Sequence, residues 1–222
     1  MNIKGIILKY ESTLSYLYRL FYLTSLRKSG VNNKVDVRAF MKKSAITING
    51  NNNTIIIEGG VNRIQNCKFI IRGNDCVIHI KRSCVLRNSC LLIEDDKGSI
   101  YIGNNTIFAG SVHAAATEGR TIRIGDSCLF SSNIQIRTGD SHAIYDLMNN
   151  KRINTALDVT ISNHVWIGQN VTILKGSNIG NNNVVGTGAI VTNKVPVDNC
   201  ILGGIGGKVL KQNINWQEER QQ

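Results

Sequence analysis

The stretch that decides the fold runs from residue 161 to residue 195 and reads ISNHVW-IGQNVT-ILKGSN-IGNNNV-VGTGAI-VTNKV. An aliphatic residue opens every group of six, and a residue that is mostly small or β-branched stands four places later. The opening residues are Ile161, Ile167, Ile173, Ile179, Val185 and Val191. A period of six fits neither the 3.6-residue turn of an α-helix nor a simple hairpin meander. It predicts a triangular solenoid in which three hexads form one coil and the aliphatic side chains stack inside.

The same frame recurs upstream and contains two informative breaks. It includes Ile102, Phe108, Ala114, Ile124, Phe130 and Ile136. Ten residues separate Ala114 from Ile124, which predicts a small bulge at about residues 115–121. From Ile136 to Ile161 there are 25 residues where the frame needs 6, so 19 residues leave the coil. They predict an extruded loop, approximately Gly139 to Asp158, and a long loop on a rigid scaffold is a natural place for function.

Composition and charge narrow the class of protein. The 222 residues are 42% hydrophobic and include 21 glycines but one proline, which is typical of a folded chain with many tight turns. A net charge of +11 admits nucleic acid, a membrane surface, an acidic polymer or a phosphate-bearing cosubstrate. Because the 26 Lys and Arg residues are scattered and no nucleic-acid motif occurs, we expect no nucleic-acid partner. The six cysteines form no C-x-x-C pair, and we expect reduced, buried thiols in a cytoplasmic protein.

We predict three segments along the chain. Residues 1–44 form an amphipathic helix, over about 3–28, and a linker; residues 45–198 form the β-helix with its loop at about 139–158; residues 199–222 form a C-terminal tail. The helix is expected to pack on its own domain or on a neighbouring subunit. The alternative is peripheral contact with a membrane surface, since Lys and Arg residues surround its apolar face.

The predicted loop contains a histidine between two carboxylates, Asp140 and Asp146. Near the base of a loop, His142 can act as a general base, and one of the two carboxylates can fix its tautomer. The sequence leaves open which of them does so. A lone histidine on a loop is, however, more often only solvated.

Three motifs sharpen this interpretation: SHAIYD at residues 141–146, ISNHVWIG at 161–168 and TILKG at 172–176. On the hexad lattice they resemble the hexapeptide-repeat acyltransferases, and in particular the O-acetyltransferases that act on capsular polysaccharide, polysialic acid and O-antigen. The resemblance covers about residues 100–216. It implies an all-β fold, a left-handed parallel β-helix with an N-terminal α-helix and an extruded catalytic loop. It also implies a homotrimer that binds acetyl-CoA between adjacent solenoids and needs no metal.

The resemblance assigns roles to particular residues. His142 is implied to be the catalytic base, and Trp166 to lie beside the thioester and donate its indole N–H to the oxyanion. This is chemically coherent, because a sugar hydroxyl must lose its proton as it attacks and the tetrahedral intermediate needs fixed N–H donors. Candidate coenzyme contacts are Trp166, Lys175, Gly186, Gly188, Lys194 and Lys208. Candidate acceptor contacts are His113, Asn133, Tyr145 and Arg152. We expect His164 to be structural and Trp216 to cap the last coil.

The predicted activity is acetyl transfer from acetyl-CoA to a hydroxyl of a cell-surface polysaccharide, a capsule or an O-antigen. N-acetylation of an amino sugar nucleotide stays open, because the same base serves an amine. A non-catalytic structural or glycan-binding solenoid is the alternative of another class, and the histidine-bearing loop argues against it. A zinc-dependent carbonic anhydrase would need three converging histidines, and His113, His142 and His164 lack the spacing. The acceptor sugar and the hydroxyl position are not encoded in any motif.

Overall fold

The computed structural model describes residues 10–192 and 194–219. Within them, the chain forms a parallel β-solenoid of eight coils, and each coil gives one strand to each of three sheets. Sheet A contains β1 (Ser25–Ser29), β4 (Ala45–Asn49), β7 (Lys68–Ile71), β10 (Cys90–Ile93), β13 (Val112–Ala116), β16 (Ile134–Arg137), β19 (Thr172–Ile173) and β22 (Ile190–Val191). Sheet B contains β2 (Lys34–Val37), β5 (Thr54–Ile57), β8 (Val77–Ile80), β11 (Ser99–Ile102), β14 (Thr121–Ile124), β17 (Val159–Ile161), β20 (Asn178–Ile179) and β23 (Lys194–Val195). Sheet C contains β3 (Phe40–Lys42), β6 (Arg63–Gln65), β9 (Val85–Arg87), β12 (Ile107–Phe108), β15 (Leu129–Phe130), β18 (Trp166–Ile167), β21 (Val184–Val185), β24 (Ile201–Gly203) and β25 (Lys208–Lys211).

The core confirms the hexad prediction. The six aliphatic residues that open the hexads from Ile161 to Val191 are at most 1% exposed. They stack in register between coils: Ile161 pairs with Ile179, and Phe130 with Ile167. Complete burial of each such side chain contributes about 1.5–3 kcal/mol relative to exposure. The aliphatic residues of the repeat therefore form the core that stabilises the three-sided solenoid.

Polar groups at the corners are satisfied between coils. The buried Asn62 amide donates to the backbone oxygens of Glu58 at 2.7 Å and Lys81 at 2.8 Å, and its oxygen accepts from Cys84 N at 2.6 Å. All six cysteines are free, and five of them are buried at these corners and strand starts. Burial raises the pKa of Cys84 and Cys128 to about 11.

The solenoid exceeds the predicted bounds of 45–198 at both ends, because it begins at Ser25 and its last coil closes with Ile201–Gly203. The early coils were obscured because their corners are longer. Ser25 pairs with Ala45 and Ala45 with Lys68, spacings of 20 and 23 residues, whereas Thr172 pairs with Ile190 at 18. The predicted bulge at residues 115–121 includes the corner between β13 and β14.

The N-terminal helix, α1 (Glu11–Phe21), is shorter than the predicted span of 3–28. Residues 3–9 lie outside the described residues, and residues 25–28 belong to β1. The Glu11 carboxylate ties the helix to the second coil, since it accepts from Gly60 N at 2.8 Å and Val61 N at 2.6 Å. In the part of the chain that the structure describes, no helix has the length and apolar character needed to cross a bilayer.

Candidate active site

The extruded loop leaves the coil after β16 of sheet A and rejoins it at β17 of sheet B, so residues 138–158 lie outside the strands. This matches the predicted span of about 139–158. Its base is closed by Leu157 N, which donates to Thr138 O at 2.9 Å. The buried Thr138 hydroxyl also accepts from Thr117 N at 2.8 Å. The loop therefore emerges from a fixed point at the corner between sheets A and B.

Within the loop the chain folds back as a short hairpin. Tyr145 and Arg152 form an antiparallel bridge, and Asp146 begins the turn. The Asp146 carboxylate accepts from Met148 N at 2.8 Å and Asn149 N at 3.1 Å. Aspartate favours such turns because its side chain replaces a backbone acceptor. Asp146 thus shapes the tip of the hairpin and does not contact the His142 imidazole, contrary to one of the two predicted orientations.

Asn154 is the polar centre of the loop, and the sequence analysis assigned it no role. Its side-chain amide donates to His142 O at 2.7 Å and to Asp140 Oδ2 at 3.0 Å. Its oxygen accepts from Ile144 N at 2.7 Å and Arg152 Nε at 3.3 Å. The residue is buried. Asn154 thus holds the backbone immediately after the side chain of the candidate base, at His142 O and Ile144 N.

The loop is attached to the coil below it through Arg152. The guanidinium donates to both carboxylate oxygens of Glu118, at 3.0 and 2.5 Å. Glu118 lies in coil 5, at the corner between sheets A and B. These bonds chiefly lower the pKa of Glu118, and a bond from Ala156 N adds to the effect. Bidentate pairing fixes geometry as well as charge. Arg152 therefore anchors the loop, and its contact with the acceptor stays a prediction.

The coil above holds the loop through Lys175. Its ammonium group pairs with the Asp140 carboxylate and donates to Asn154 O at 2.9 Å. The bond from Lys175 is the main cause of a lowered pKa at Asp140, and the bond from Asn154 adds to it. Asp140 therefore contacts Lys175 and not the imidazole. The ammonium group of Lys175 is bonded within the loop, and its contact with a coenzyme phosphate stays a prediction.

The His142 side chain is exposed. Among residues 10–192 and 194–219, its imidazole makes no hydrogen bond. Its backbone is the fixed part, since His142 N also donates to Asp140 O at 2.8 Å. The structure therefore presents a histidine that is held at its main chain and open at both ring nitrogens.

Trp166 lies on the outer face of sheet C, in β18, with 40% of its surface exposed. Beside it, at a ring distance of 6.0 Å, is Trp216, which stacks on His164 at 4.2 Å and 8°. Trp216 Nε1 donates to His164 O at 2.9 Å, and His164 Nδ1 bonds Asn182 Oδ1 at 3.0 Å. These contacts agree with a structural His164. The expectation that Trp216 caps the last coil is wrong, because the chain reverses between β24 and β25 and its tail docks at coil 6, where Trp216 stacks on His164.

Loop and tryptophan lie on opposite sides of the prism. In a three-sided solenoid, the corner between sheets A and B faces away from sheet C. The loop that carries His142 leaves at that corner of coil 6, and Trp166 lies on sheet C of the same coil. The structure therefore does not bring these two predicted catalytic residues together within one chain.

The remaining candidates fall into two groups. Gly186 N and Gly188 N donate to Leu202 O and Gln169 O, both at 2.8 Å, so their amides are not free for a pantetheine arm, contrary to expectation. Gly188 has φ +73°, which explains the glycine. Lys194 and Lys208 extend from exposed strand positions, and in the described part of the chain neither has an ion-pair partner.

The candidate acceptor residues differ in surroundings. Asn133 donates to Asn170 Oδ1 at 2.8 Å in a ladder of turns, which identifies it as a corner residue. His113 lies half-buried on sheet A beside Gln135, and burial, reinforced by Arg137, lowers its pKa. Tyr145 is half-exposed on the hairpin. The described residues contain no group of three or more His, Cys, Asp or Glu that could hold a metal ion.

A parallel solenoid with a clamped, histidine-bearing loop and an aromatic residue on the opposite face defines a hexapeptide-repeat acyltransferase. The chain is 35% identical over 163 residues to the polysialic acid O-acetyltransferase of Neisseria meningitidis. The matched region covers 67% of this chain and 69% of that protein. It is 36% identical over 121 residues to the polysialic acid O-acetyltransferase of Escherichia coli O1:K1, covering 54% of this chain and 39% of the relative. The crystal structure of the polysialic acid O-acetyltransferase OatWY superposes with a TM-score of 0.82 at 32% identity, covering 88% and 92% of the two chains. No family model matches the chain.

The chain belongs to the hexapeptide-repeat acetyltransferases and is related to the polysialic acid O-acetyltransferases. The predicted family, fold and enzyme class are confirmed.

Proposed function

We propose that this enzyme transfers the acetyl group of acetyl-CoA to a hydroxyl of a polysialic acid-like capsular polysaccharide. The relatives named above modify polysialic acid, which carries one carboxylate on every sugar. A net charge of +11 suits such a polyanion, because it raises the local concentration of the acceptor. The relatives are O-acetyltransferases, which favours a hydroxyl over an amine. A cytoplasmic location, where acetyl-CoA is available, is part of the same proposal.

The clamped loop is the observation that carries the mechanism. Asn154 fixes His142 O and Ile144 N, while Glu118 below and Lys175 above hold the hairpin. An imidazole nitrogen of His142 takes the hydroxyl proton as the sugar oxygen attacks the thioester carbonyl. The tetrahedral intermediate then expels the CoA thiolate, which receives that proton from the imidazolium. The ester and the free thiol form without an acyl-enzyme.

The position of Trp166 supports a site built by two chains. Because sheet C faces away from the loop of the same chain, His142 of one subunit approaches Trp166 of the next. The hairpin tip supports this arrangement, since Leu147 and Met148 are 100% and 94% exposed and would be covered by a neighbour. A closed three-fold ring of parallel solenoids repeats this contact three times, so we propose a homotrimer.

The indole N–H of Trp166 is the proposed donor to the oxyanion, and its ring packs against the thioester end of the cosubstrate. The exposed Lys194 and Lys208, on the last coil, remain candidates for the phosphates of acetyl-CoA. Both retain free ammonium groups in the described residues, whereas Lys175 does not.

His142→Ala tests the proposal with soluble oligosialic acid as acceptor. We expect kcat to fall about 10²–10⁴-fold while acetyl-CoA affinity and assembly stay unchanged, because the side chain is exposed and the clamp uses its backbone. His79→Ala is the matched control, a histidine of sheet B outside the loop that pairs with Glu58, and we expect a small effect. Thiol release and the mass gain of one acetyl group per sugar are the readouts.

Near-normal transfer by His142→Ala would place the base elsewhere. If the wild-type enzyme acetylated a neutral polysaccharide and left oligosialic acid unchanged, the acceptor assignment would be wrong and the class of reaction would still hold.

A further inference from the structure

Among the described residues, the solenoid core is open at its N-terminal end. Leu26 in the first coil pairs with Ile46 in the second and continues the inward-facing row. Ile46 is buried, but Leu26 is 51% exposed, since within the described residues no coil lies below it. Val35 and Val37 are likewise only half-buried. A cavity of about 220 Å³ lies here, lined by these residues together with Tyr16 and Leu20 of α1. Solenoids normally need a polar terminal cap for solubility.

The helix beside this opening does not supply that cap, because its amphipathic faces are reversed. Glu11 and Ser15 are its buried residues, held inward by the bonds from Glu11 to the second coil. Leu14, Leu17 and Phe21 lie at the surface, and Phe21 is 83% exposed, whereas Leu20 lines the cavity and is still 61% exposed. The helix thus contacts its own domain through Glu11 and through Tyr18 against Phe40, and it leaves these apolar side chains exposed among the described residues.

Positive charge surrounds the same end. Residues 10–44 contain the cations Arg19, Arg27, Lys28, Lys34, Arg38, Lys42 and Lys43. They contain two acidic residues, Glu11 and Asp36. The Glu11 carboxylate is buried under backbone amides, and Asp36 pairs with Arg38. The helix and the first coil thus carry an excess of cations, and their two carboxylates are already buried or paired.

We propose that this end of the solenoid, formed by α1 and the first coil, docks on an anionic lipid bilayer. Exposed Leu and Phe side chains near Lys and Arg residues are the chemistry of an interfacial helix, and acidic headgroups would compensate the excess of cations. A second copy stacked end to end would bring two such cationic ends together, and like charges oppose that contact. The inference is independent of the proposed acceptor.

Docking would also orient the enzyme. The catalytic loop leaves coil 6, five coils above the end, and coils are spaced by about 4.8 Å, so the loop would stand about 24 Å above the lipid surface. In a ring of parallel solenoids, all three N-terminal ends face the same side, so that three helices would bind together. An acceptor attached to that membrane would meet the active site from below.

Co-sedimentation of the full chain with lipid vesicles tests this proposal. We expect binding to vesicles of equal parts phosphatidylglycerol and phosphatidylcholine, weakened by added salt, and little binding to phosphatidylcholine alone. Leu20→Glu with Phe21→Glu should lower the partition coefficient at least about tenfold. Arg27→Gln with Lys28→Gln should lower it about 25-fold, about fivefold for each cation removed. Val197→Glu, an exposed apolar residue of the last coil, is the matched control and should bind as wild type does.

Activity on soluble oligosialic acid separates this proposal from the proposed function, because the substitutions lie far from the loop and should leave that activity unchanged. The proposal is overturned if wild-type protein does not sediment with phosphatidylglycerol vesicles at low salt. Equal binding by the Leu20→Glu, Phe21→Glu variant would also overturn it. Concentration-dependent association of the wild type without lipid, abolished in that variant, would identify a second copy as the occupant instead.

Discussion

Asn154→Ala probes the clamp that holds the candidate base. The substitution removes the two 2.7 Å bonds to His142 O and Ile144 N, and two longer ones to Asp140 and Arg152. A typical hydrogen bond contributes about 0.5–1.5 kcal/mol net, so the two short bonds together stabilise the clamped loop by about 2 kcal/mol. If this loss falls on the clamped conformation alone, kcat decreases about 30-fold. The solenoid should keep its stability, because Glu118 and Thr138 still hold the loop base.

Steady-state kinetics with oligosialic acid would measure this decrease, with Asn149→Ala as control. Asn149 is an asparagine of the same hairpin whose oxygen accepts from Lys151 N at the exposed tip, far from the clamp. A double-mutant cycle with His142→Ala decides the interpretation, since a residue that acts through the base should have no further effect once the base is gone. An equal loss from Asn154→Ala in both backgrounds would refute the argument, as would an unchanged kcat in the single variant.

Two further predictions concern assembly and pH. Co-expressed His142→Ala and Trp166→Ala chains should form mixed trimers with partial activity, whereas each variant alone is nearly inactive; mixed trimers without activity would contradict the two-chain site. Burial raises the pKa of the Cys67, Cys84 and Cys128 thiols from 9.0 to about 11. As the pH rises, each thiol therefore ionises in the unfolded chain before it ionises in the folded one. The stability that the neutral, buried thiols contribute below pH 9 is lost as the pH rises towards 11. At pH 10 we expect a loss of roughly 1 kcal/mol per thiol relative to pH 7, measured by urea unfolding, and Cys→Ser variants at these positions should show a smaller pH dependence between pH 8 and 10.

The sequence predicted the solenoid where its repeat is strict. From Ile161 to Val191 each hexad is one side of the prism, so spacing and structure coincide. The residues in excess of the six-residue repeat between Ile136 and Ile161 located the extruded loop to within a residue or two. Among the early coils, paired strands are 20 residues apart at one step and 23 at the next, and a fixed period of six cannot follow a coil length that changes in this way.

The helix and the clamp could not be predicted for a different reason. Hydrophobic periodicity identified a face on α1 but not which way it points. One buried carboxylate, Glu11, with two backbone amides about 50 residues away, decides that. Lys175 pairs with Asp140 across 35 residues, and Glu118 with Arg152 across 34. The sequence shows that these residues are charged, but no pattern in it predicts which of them contact each other.

The clamp explains why neither predicted carboxylate touches His142. In catalytic histidines a carboxylate commonly fixes the ring's tautomer and direction. Here the Asp140 carboxylate pairs with Lys175, and the Asp146 carboxylate accepts hydrogen bonds within the turn of the hairpin. Both carboxylates therefore stabilise the conformation of the loop. The shape in turn fixes the backbone that follows the His142 side chain, through Asn154, between anchors on coils 5 and 7. Position is thereby set by the main chain, while the ring stays free to be oriented by what approaches it. In the proposed trimer, the neighbouring subunit and the two substrates approach it.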